Sequence, residues 1–376
     1  MVDFTVAEFE ARMTLAQTAM AQAGLDAILL CTEAEFRYFS GFRTQFWQSP
    51  TRPWFLVLPQ DGAPIAVIPE IGVDLMVRTW VRDIRIWASP DPIDDGVSLL
   101  VDVLSKYGKV GLPMGQETSL RMPLGDFYRV HEKSNVEFVD CSELIKAIRI
   151  VKSDAEIAIL RKICGIGSAA FDQASDIFHA DLPLSEAFRV FKIALLQAGA
   201  DDVPYLVGAA GQGGYGDVIS PPDETPLQDG DVLMLDTGAS LQGYFCDFDR
   251  NYAIGSATDT TKQAYEVLWQ ATQVGLQTAR AGMTCADLFH AMHASLGGGL
   301  SNVGRYGHGL GIQLTEYPSI ASFDHTVLQP GMVMTLEPSL TISKGKMMVH
   351  EENILITDDA PILLTKRAAP ELPVIR

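Results

Sequence analysis

A chain of 376 residues with 47% apolar and 20% charged side chains has the composition of a compact two-domain protein, not of a disordered or fibrous one. Its 47 Asp and Glu against 28 Lys and Arg leave a formal charge of -19, which opposes attraction to phosphate backbones or anionic lipid, so nucleic acid is not an expected partner. The absence of a long apolar run, the lack of a basic signal-peptide region in Met1-Val-Asp-Phe-Thr, and five scattered cysteines without a Cys-x-x-Cys pair point to a cytoplasmic protein with reduced thiols and no membrane partner.

Thr5-Val-Ala-Glu8 is a capping box, and apolar or small residues at Phe9, Met13, Ala16 and Met20 before Gly24 predict an amphipathic helix over 6–23. A buried strand is predicted at Asp26 to Cys31. Further strands at Trp54 to Leu58, Pro64 to Ile68 and Lys109 to Leu112, alternating with helical stretches such as Val97 to Tyr107, make residues 1–150 an α/β domain. Ser153-Asp-Ala-Glu156 is a second capping box and opens the second domain, 151–376. Helices at Thr261 to Arg280 and Cys285 to Leu296 are set there among β-rich segments, with turns at Pro221-Pro222, Gly297 to Gly299 and Gly345.

The chemistry lies in two acidic hairpins. Asp231-Val-Leu-Met-Leu-Asp236 reads as a buried strand and Gly243-Tyr-Phe-Cys-Asp247-Phe-Asp-Arg250 as its return. A turn centred between Leu241 and Gln242 places Asp236 opposite Asp247, where Cβ atoms are about 4.5–5.5 Å apart and two like charges need a cation between them. Thr335-Leu-Glu337-Pro-Ser and Val349-His-Glu351-Glu-Asn repeat the arrangement, because a turn centred on Lys344 sets Glu337 opposite Glu351. That register is approximate, since Pro338 removes a ladder donor. Between the hairpins, the glycines of Tyr306-Gly-His308-Gly-Leu-Gly311 let the backbone approach a ligand or metal and make His308 the imidazole candidate. Four carboxylates and one imidazole suit two adjacent divalent ions, Mn, Zn, Co or Fe, at a spacing of about 3.5–4 Å.

These residues resemble the pita-bread metallopeptidases that include aminopeptidase P and prolidase, with the related creatinases. Asp236-x-Gly238-x4-Gly243-Tyr244-x2-Asp247-x2-Arg250 is similar to that family's first metal hairpin, Gly307-His308-Gly-x-Gly311 to its histidine segment, and Gly331-Met332-x3-Leu336-Glu337-Pro338 with Glu351 to its last two ligands. Lys152-Ser153-x2-Glu156-Ile157-x2-Leu160-Arg161 resembles the start of its catalytic domain. The resemblance implies a creatinase-like α/β N-terminal domain followed by an α+β pita-bread catalytic domain. It further implies that Asp247 and Glu351 bridge two metals, that Asp236 holds one and that His308 with Glu337 holds the other. Glu337 is then also the candidate acceptor of a proton from a bridging water, and a homodimer is expected.

Three positions where the peptidases of this family carry histidines differ: Gly304, Thr315 and the neighbourhood of Val218. Thr315 becomes a candidate substrate-binding residue, and Asp217 a candidate acid or base in place of the missing imidazole. In the first domain, Phe42-Arg43-Thr-Gln-Phe46-Trp47 looks like a covering loop, and Arg43 or Trp47 is a candidate for reading a substrate carboxylate or cation. The expected activity is metal-dependent hydrolysis of a C–N bond in a short peptide or other small molecule, with slow Xaa-Pro turnover. The alternatives are a creatinase-like or ectoine-type hydrolase or osmolyte lyase, and a binding scaffold that has lost catalysis.

Overall fold

Four successive buried residues, Ala27-Ile28-Leu29-Leu30, form a strand flanked on both sides, the pattern expected where a sheet is covered on both faces. The computed structural model in which this is seen describes residues 4–49, 52–298 and 304–376. The far end of the turn expected at Gly297 to Gly299, and residues 50 and 51 of the aromatic loop, lie outside that range. The chain divides into two units, Met1–Arg149 and Ile150–Arg376.

In the first unit a six-stranded mixed sheet runs in the order 83–87, 65–69, 55–59, 27–30, 109–112, 137–140. Its apolar inner residues, among them Leu29, Val57, Val67 and Val110, pack with Val97, Leu100 and Leu104 of a helix. The predicted helix over 6–23 is Val6–Ala23, with Thr5 Oγ1 accepting from Glu8 N at 3.3 Å. Only half of the expected capping box forms, because the Glu8 carboxylate turns to Arg12 at 3.0 Å.

The second unit is α+β. One sheet runs Val374–Ile375, Phe248–Ile254, Asp231–Leu241, Asp202–Gln212, and the other Glu316–Ser319, His308–Gly309, Val333–Leu336, Glu352–Leu355, Ile362–Leu363. Each sheet therefore contributes one of the acidic hairpins. The Ser153–Glu156 capping box is complete, and the outer oxygen of Glu156 accepts the Tyr244 hydroxyl at 2.9 Å, tying the first helix of the unit to the tip of the first hairpin. The helices predicted at 261–280 and 285–296 are Asp259–Thr278 and Cys285–Ser295. No helix among the described residues is long and apolar enough to cross a membrane.

Candidate metal centre

The first hairpin turns one residue later than the sequence reading placed it. Leu241 pairs with Tyr244 and Asp236 with Asp249, so the residue opposite Asp236 is Asp249 and not Asp247. The two turn residues, Gln242 and Gly243, both have positive φ (48° and 68°), the primed geometry whose twist matches that of paired strands. In the second hairpin the expected count holds: Leu336 faces Glu352 and Ser339 faces Val349, which leaves Glu337 level with Glu351 across the interruption at Pro338.

Despite the corrected register, three of the five predicted ligands converge. Ligand atoms of Asp247, His308 and Glu351 all lie within 4.8 Å of one another, and all three residues are buried. Asp236 and Glu337 are partly exposed. The glycines beside His308 serve its own sheet: a Cβ on Gly307, which has φ of 141°, would stand 2.2 Å from the Thr335 carbonyl oxygen. A Cβ on Gly309 would stand 2.4 Å from that of Tyr317. The glycines thus let neighbouring strands close around the imidazole, where the sequence reading had them admitting a ligand. Thr335 Oγ1 then accepts from His308 N at 3.1 Å.

The electrostatics call for a cation. His308 Nδ1 lies 2.9 Å from the Gly309 carbonyl oxygen, which only accepts, so Nδ1 carries the ring proton. Burial, aided by the charge of Arg305, pushes the imidazole down to about 4, so it is neutral near pH 7. Its Nε2 lone pair therefore faces Asp247 Oδ2 at 3.4 Å, with no proton of its own to offer. Burial and then the charge of Glu337 push Asp236 up to about 7. Asp247 and Glu351 are raised well above the usual carboxylate range by burial and by each other's neighbourhood of carboxylates. Burial also raises Glu337, against the charge of Arg305. Asp236 Oδ1 and Glu351 Oε1 are enclosed and accept no hydrogen bond. The orphaned oxygens of Asp236 and Glu351 and the imidazole lone pair of His308 form a donor set that fits divalent ions.

The adjacent Glu352 shows the contrast. It is fully buried, and burial pushes its carboxyl up, yet Arg250 and its other partners outweigh that and hold it below the usual range. Arg250 Nη2 stands at 3.0 Å, Arg367 Nη1 at 3.1 Å, Ala368 N at 2.9 Å, and the Thr365 hydroxyl also donates to it. Two successive glutamates on opposite strand faces thus have opposite fates: one is neutralised by arginines, and the other has no cation on its orphaned oxygen.

Several functional neighbours escaped the sequence reading. The half-buried Tyr205 donates its hydroxyl to Asp236 Oδ2 at 3.3 Å. Arg305 is half-buried, and its charge acts on Asp247, Glu337 and His308. Its chain segment is bonded to the site, since Glu337 N donates to Tyr306 O at 2.9 Å. The one available signal was its position three residues before His308. His350, next to Glu351 in the chain, is buried with Nδ1 3.0 Å from Thr272 Oγ1.

Two expected residues are placed differently. Asp217 is exposed and engaged by its own turn: Oδ1 accepts Ile219 N at 3.0 Å and Ser220 N at 3.1 Å, and the Ser220 hydroxyl donates to Oδ2. This Asx turn holds its carboxyl below the ordinary value and removes it as an acid or base. Trp47 is 5% exposed and packs against Phe36 and Trp54, so it serves the core of its own unit and does not read a substrate. Arg43 is half-buried within the first unit.

Thr315 is half-buried on the bend that precedes the strand Glu316–Ser319. Next to it, Leu314 packs where a Cβ on Gly238 would stand, 2.4 Å from its Cδ1. Glu316 accepts Gln313 N at 3.0 Å and pairs with Lys152 Nζ at 2.9 Å, the two side chains being 5% and 2% exposed. Lys152→Ala breaks this buried pair, and the urea midpoint of the metal-free protein should reveal a loss of about 3–5 kcal/mol. A loss below about 1 kcal/mol would show that the pair does not hold this bend.

Comparison with known proteins places this geometry. Residues 158–358 match the family described as Metallopeptidase family M24, and residues 12–151 match the Creatinase/Prolidase N-terminal domain. The chain is 26% identical over 353 residues to an Xaa-Pro dipeptidase of Pyrococcus horikoshii, covering 92% of this chain and 94% of that one. It is 26% identical over 375 residues to the probable dipeptidase PepE of Mycobacterium tuberculosis, covering 96% and 95%. Among solved structures, a prolidase from Thermococcus sibiricus superposes with a TM-score of 0.87 at 23% identity over 97% of this chain and 99% of that one. Dipeptidase PepE from Mycobacterium ulcerans gives 0.85 at 23% identity over 99% of both chains. The architecture is the α/β domain followed by the α+β pita-bread domain that the motifs led us to expect. The chain belongs to metallopeptidase family M24, as a metal-dependent hydrolase that carries a creatinase/prolidase N-terminal domain.

Proposed function

We propose that the chain is a dinuclear-metal peptidase that hydrolyses the C–N bond of a short, carboxylate-bearing substrate such as a dipeptide. Asp236, Asp247, His308, Glu337 and Glu351 would hold the metals, Asp247 and Glu351 between them. The observation that carries this reading is the His308 Nε2 lone pair set against Asp247 beside the orphaned oxygens of Asp236 and Glu351. Two divalent ions there, Mn, Zn, Co or Fe, would polarise the scissile carbonyl and acidify water. Relatives named as dipeptidases support the substrate class, and we infer a cytoplasmic homodimer from the resemblance to the family.

The chain's own groups divide the remaining work. Glu337, partly exposed and with its carboxyl raised, is the group placed to take a proton and return it to the leaving nitrogen. The Tyr205 hydroxyl steadies Asp236. Arg305 cannot take over the proton transfer of a missing histidine, because a guanidinium stays charged, but it can hold an anion in two parallel hydrogen bonds. We assign it the substrate carboxylate.

Assays on matched dipeptides and dipeptide amides test this division. Arg305→Ala should lose about 10–100-fold in kcat/KM on the free acid, the equivalent of about 1.5–3 kcal/mol, and little on the amide. Equal losses on both would remove the carboxylate role. Xaa-Pro dipeptides should turn over slowly, given Gly304, Thr315 and the loop near Val218, and rapid proline-specific cleavage would contradict that. The same departures favour a second reading, a family member acting on a non-peptide amide, which gains if no dipeptide is cleaved by the metal-loaded protein.

A further inference from the structure

At each of the two residues proposed to bridge the metals, the sheet ladder stops. The strands resume at Phe248 and Glu352, immediately after Asp247 and Glu351. A buried peptide group without ladder partners needs others, and here each hairpin supplies them to the opposite one.

Asn353 is fully buried, two residues beyond Glu351. Its Oδ1 accepts Asp247 N at 3.0 Å, while its Nδ2 donates to Asp247 O, so one amide satisfies both polar groups of the ligand's backbone. The Cys164 thiol donates to the same Oδ1 at 3.3 Å and fixes which way the amide faces. Asp249 lies two residues beyond Asp247 and is 1% exposed. Its Oδ1 accepts Glu351 N at 2.5 Å, and its Oδ2 accepts Asn251 Nδ2 at 3.0 Å. The carbonyl of Glu351 accepts Arg250 Nη1 at 2.9 Å. The arrangement is reciprocal: the side chain two positions past one carboxylate grips the backbone of the other, across about a hundred residues of chain.

We propose that Asn353 and Asp249 form a reciprocal clamp that sets the separation of Asp247 and Glu351, and through it the spacing of the metal pair. Both are positioning residues. The proposal rests on the metal-centre reading above. A ladder that ends at each of them cannot fix the separation of Asp247 and Glu351. The clamp keeps their backbones in place, so that ions meet a pocket already at its working dimension.

Cobalt(II) titration of the metal-free wild type, Asn353→Ala, Asp249→Ala and the double variant tests it, read by affinity, by visible absorption and by the magnetic coupling of the two ions. Thermal melts of the metal-free proteins confirm folding. Each single variant should bind cobalt about 10–100-fold more weakly, with altered absorption and coupling. The double variant should lose far less than the product of the two, because both act on one distance. Wild-type affinity and spectra in either single variant, or losses that multiply, would overturn the clamp while leaving the metal centre intact. A wild type that takes up no cobalt would overturn the metal reading and the clamp with it. If an alanine variant does not fold, Asn353→Asp keeps the volume and the oxygen for Asp247 N but turns a second oxygen on the Asp247 carbonyl. Altered coupling is expected for it, and unchanged coupling counts against the clamp.

Discussion

Asp247→Ala should leave the protein folded and unable to retain metal, with turnover reduced by more than about 1,000-fold. The carboxylate lies at the centre of the site, with His308 Nε2 at 3.4 Å and a ligand atom of Glu351 within 4.8 Å. Metal catalysis is worth several kcal/mol of transition-state stabilisation, and about 4 kcal/mol is three powers of ten. The metal-free variant should be no less stable than the metal-free wild type, since it removes one of several crowded buried carboxyls. Metal analysis, a thermal melt and an assay on one preparation check all three statements. Unchanged metal content would remove Asp247 from the ligand set.

The metal-free protein should lose stability as pH rises from 6.5 to 8.5, and metal should abolish that loss. Burial holds Asp236 up to about 7 and Asp247 and Glu351 well above their ordinary values. The folded chain therefore keeps protons that the unfolded chain has released by pH 5. Where the native state binds more protons, stability falls with rising pH. The contribution of Asp236 is fully present below its unfolded value of 3.8 and is lost as pH passes about 7. Buried His308 and His350, pushed down to about 4 and about 3, act in the opposite direction, but only below about pH 6.5, where an unfolded imidazole takes up a proton. Above that pH the carboxyls dominate. Each one still protonated costs about 1.4 kcal/mol per pH unit, or about 3 kcal/mol over the window. For a chain of this size that is a drop of about 4 °C for each such carboxyl. Calorimetry with and without chelator provides the comparison, and a metal-free Tm that is flat or rising over the window would contradict it.

The proposed ligands stand out in the sequence because each carries its chemistry in its type and its spacing. Asp236 and Asp247 in one hairpin, His308 after it, and Glu337 and Glu351 in a second hairpin stand in that order, and the count across Pro338 was right because the irregularity there adds no net residue. The first register was misjudged at Gln242, whose positive φ its identity does not announce; Gly243 beside it was the visible half of the signal. Asp217 was misread although Asp-x-x-Ser220 is itself an Asx-turn pattern, a case of local backbone chemistry competing with a functional reading. Trp47 followed the ordinary rule that clustered aromatics pack on one another.

Arg305, Tyr205, Asn353 and Asp249 were not legible for a common reason. Each acts on the site across a contact that depends on tertiary register, and neither its residue type nor its neighbours declare that contact. Asn353 reaches a peptide 106 residues away. Only Asp249 and Asn353 left a trace, the shared offset of two from a predicted ligand, and an alternating strand gives that offset no meaning until the partner hairpin is placed.

Metal content measured by plasma mass spectrometry, on protein purified without a histidine tag or chelator, tests the central claim most directly. The arrangement of Asp236, Asp247, His308, Glu337 and Glu351 predicts about two divalent ions per chain, the complement that two-metal sites hold. A protein that stays metal-free after incubation with Mn, Co or Zn would contradict it.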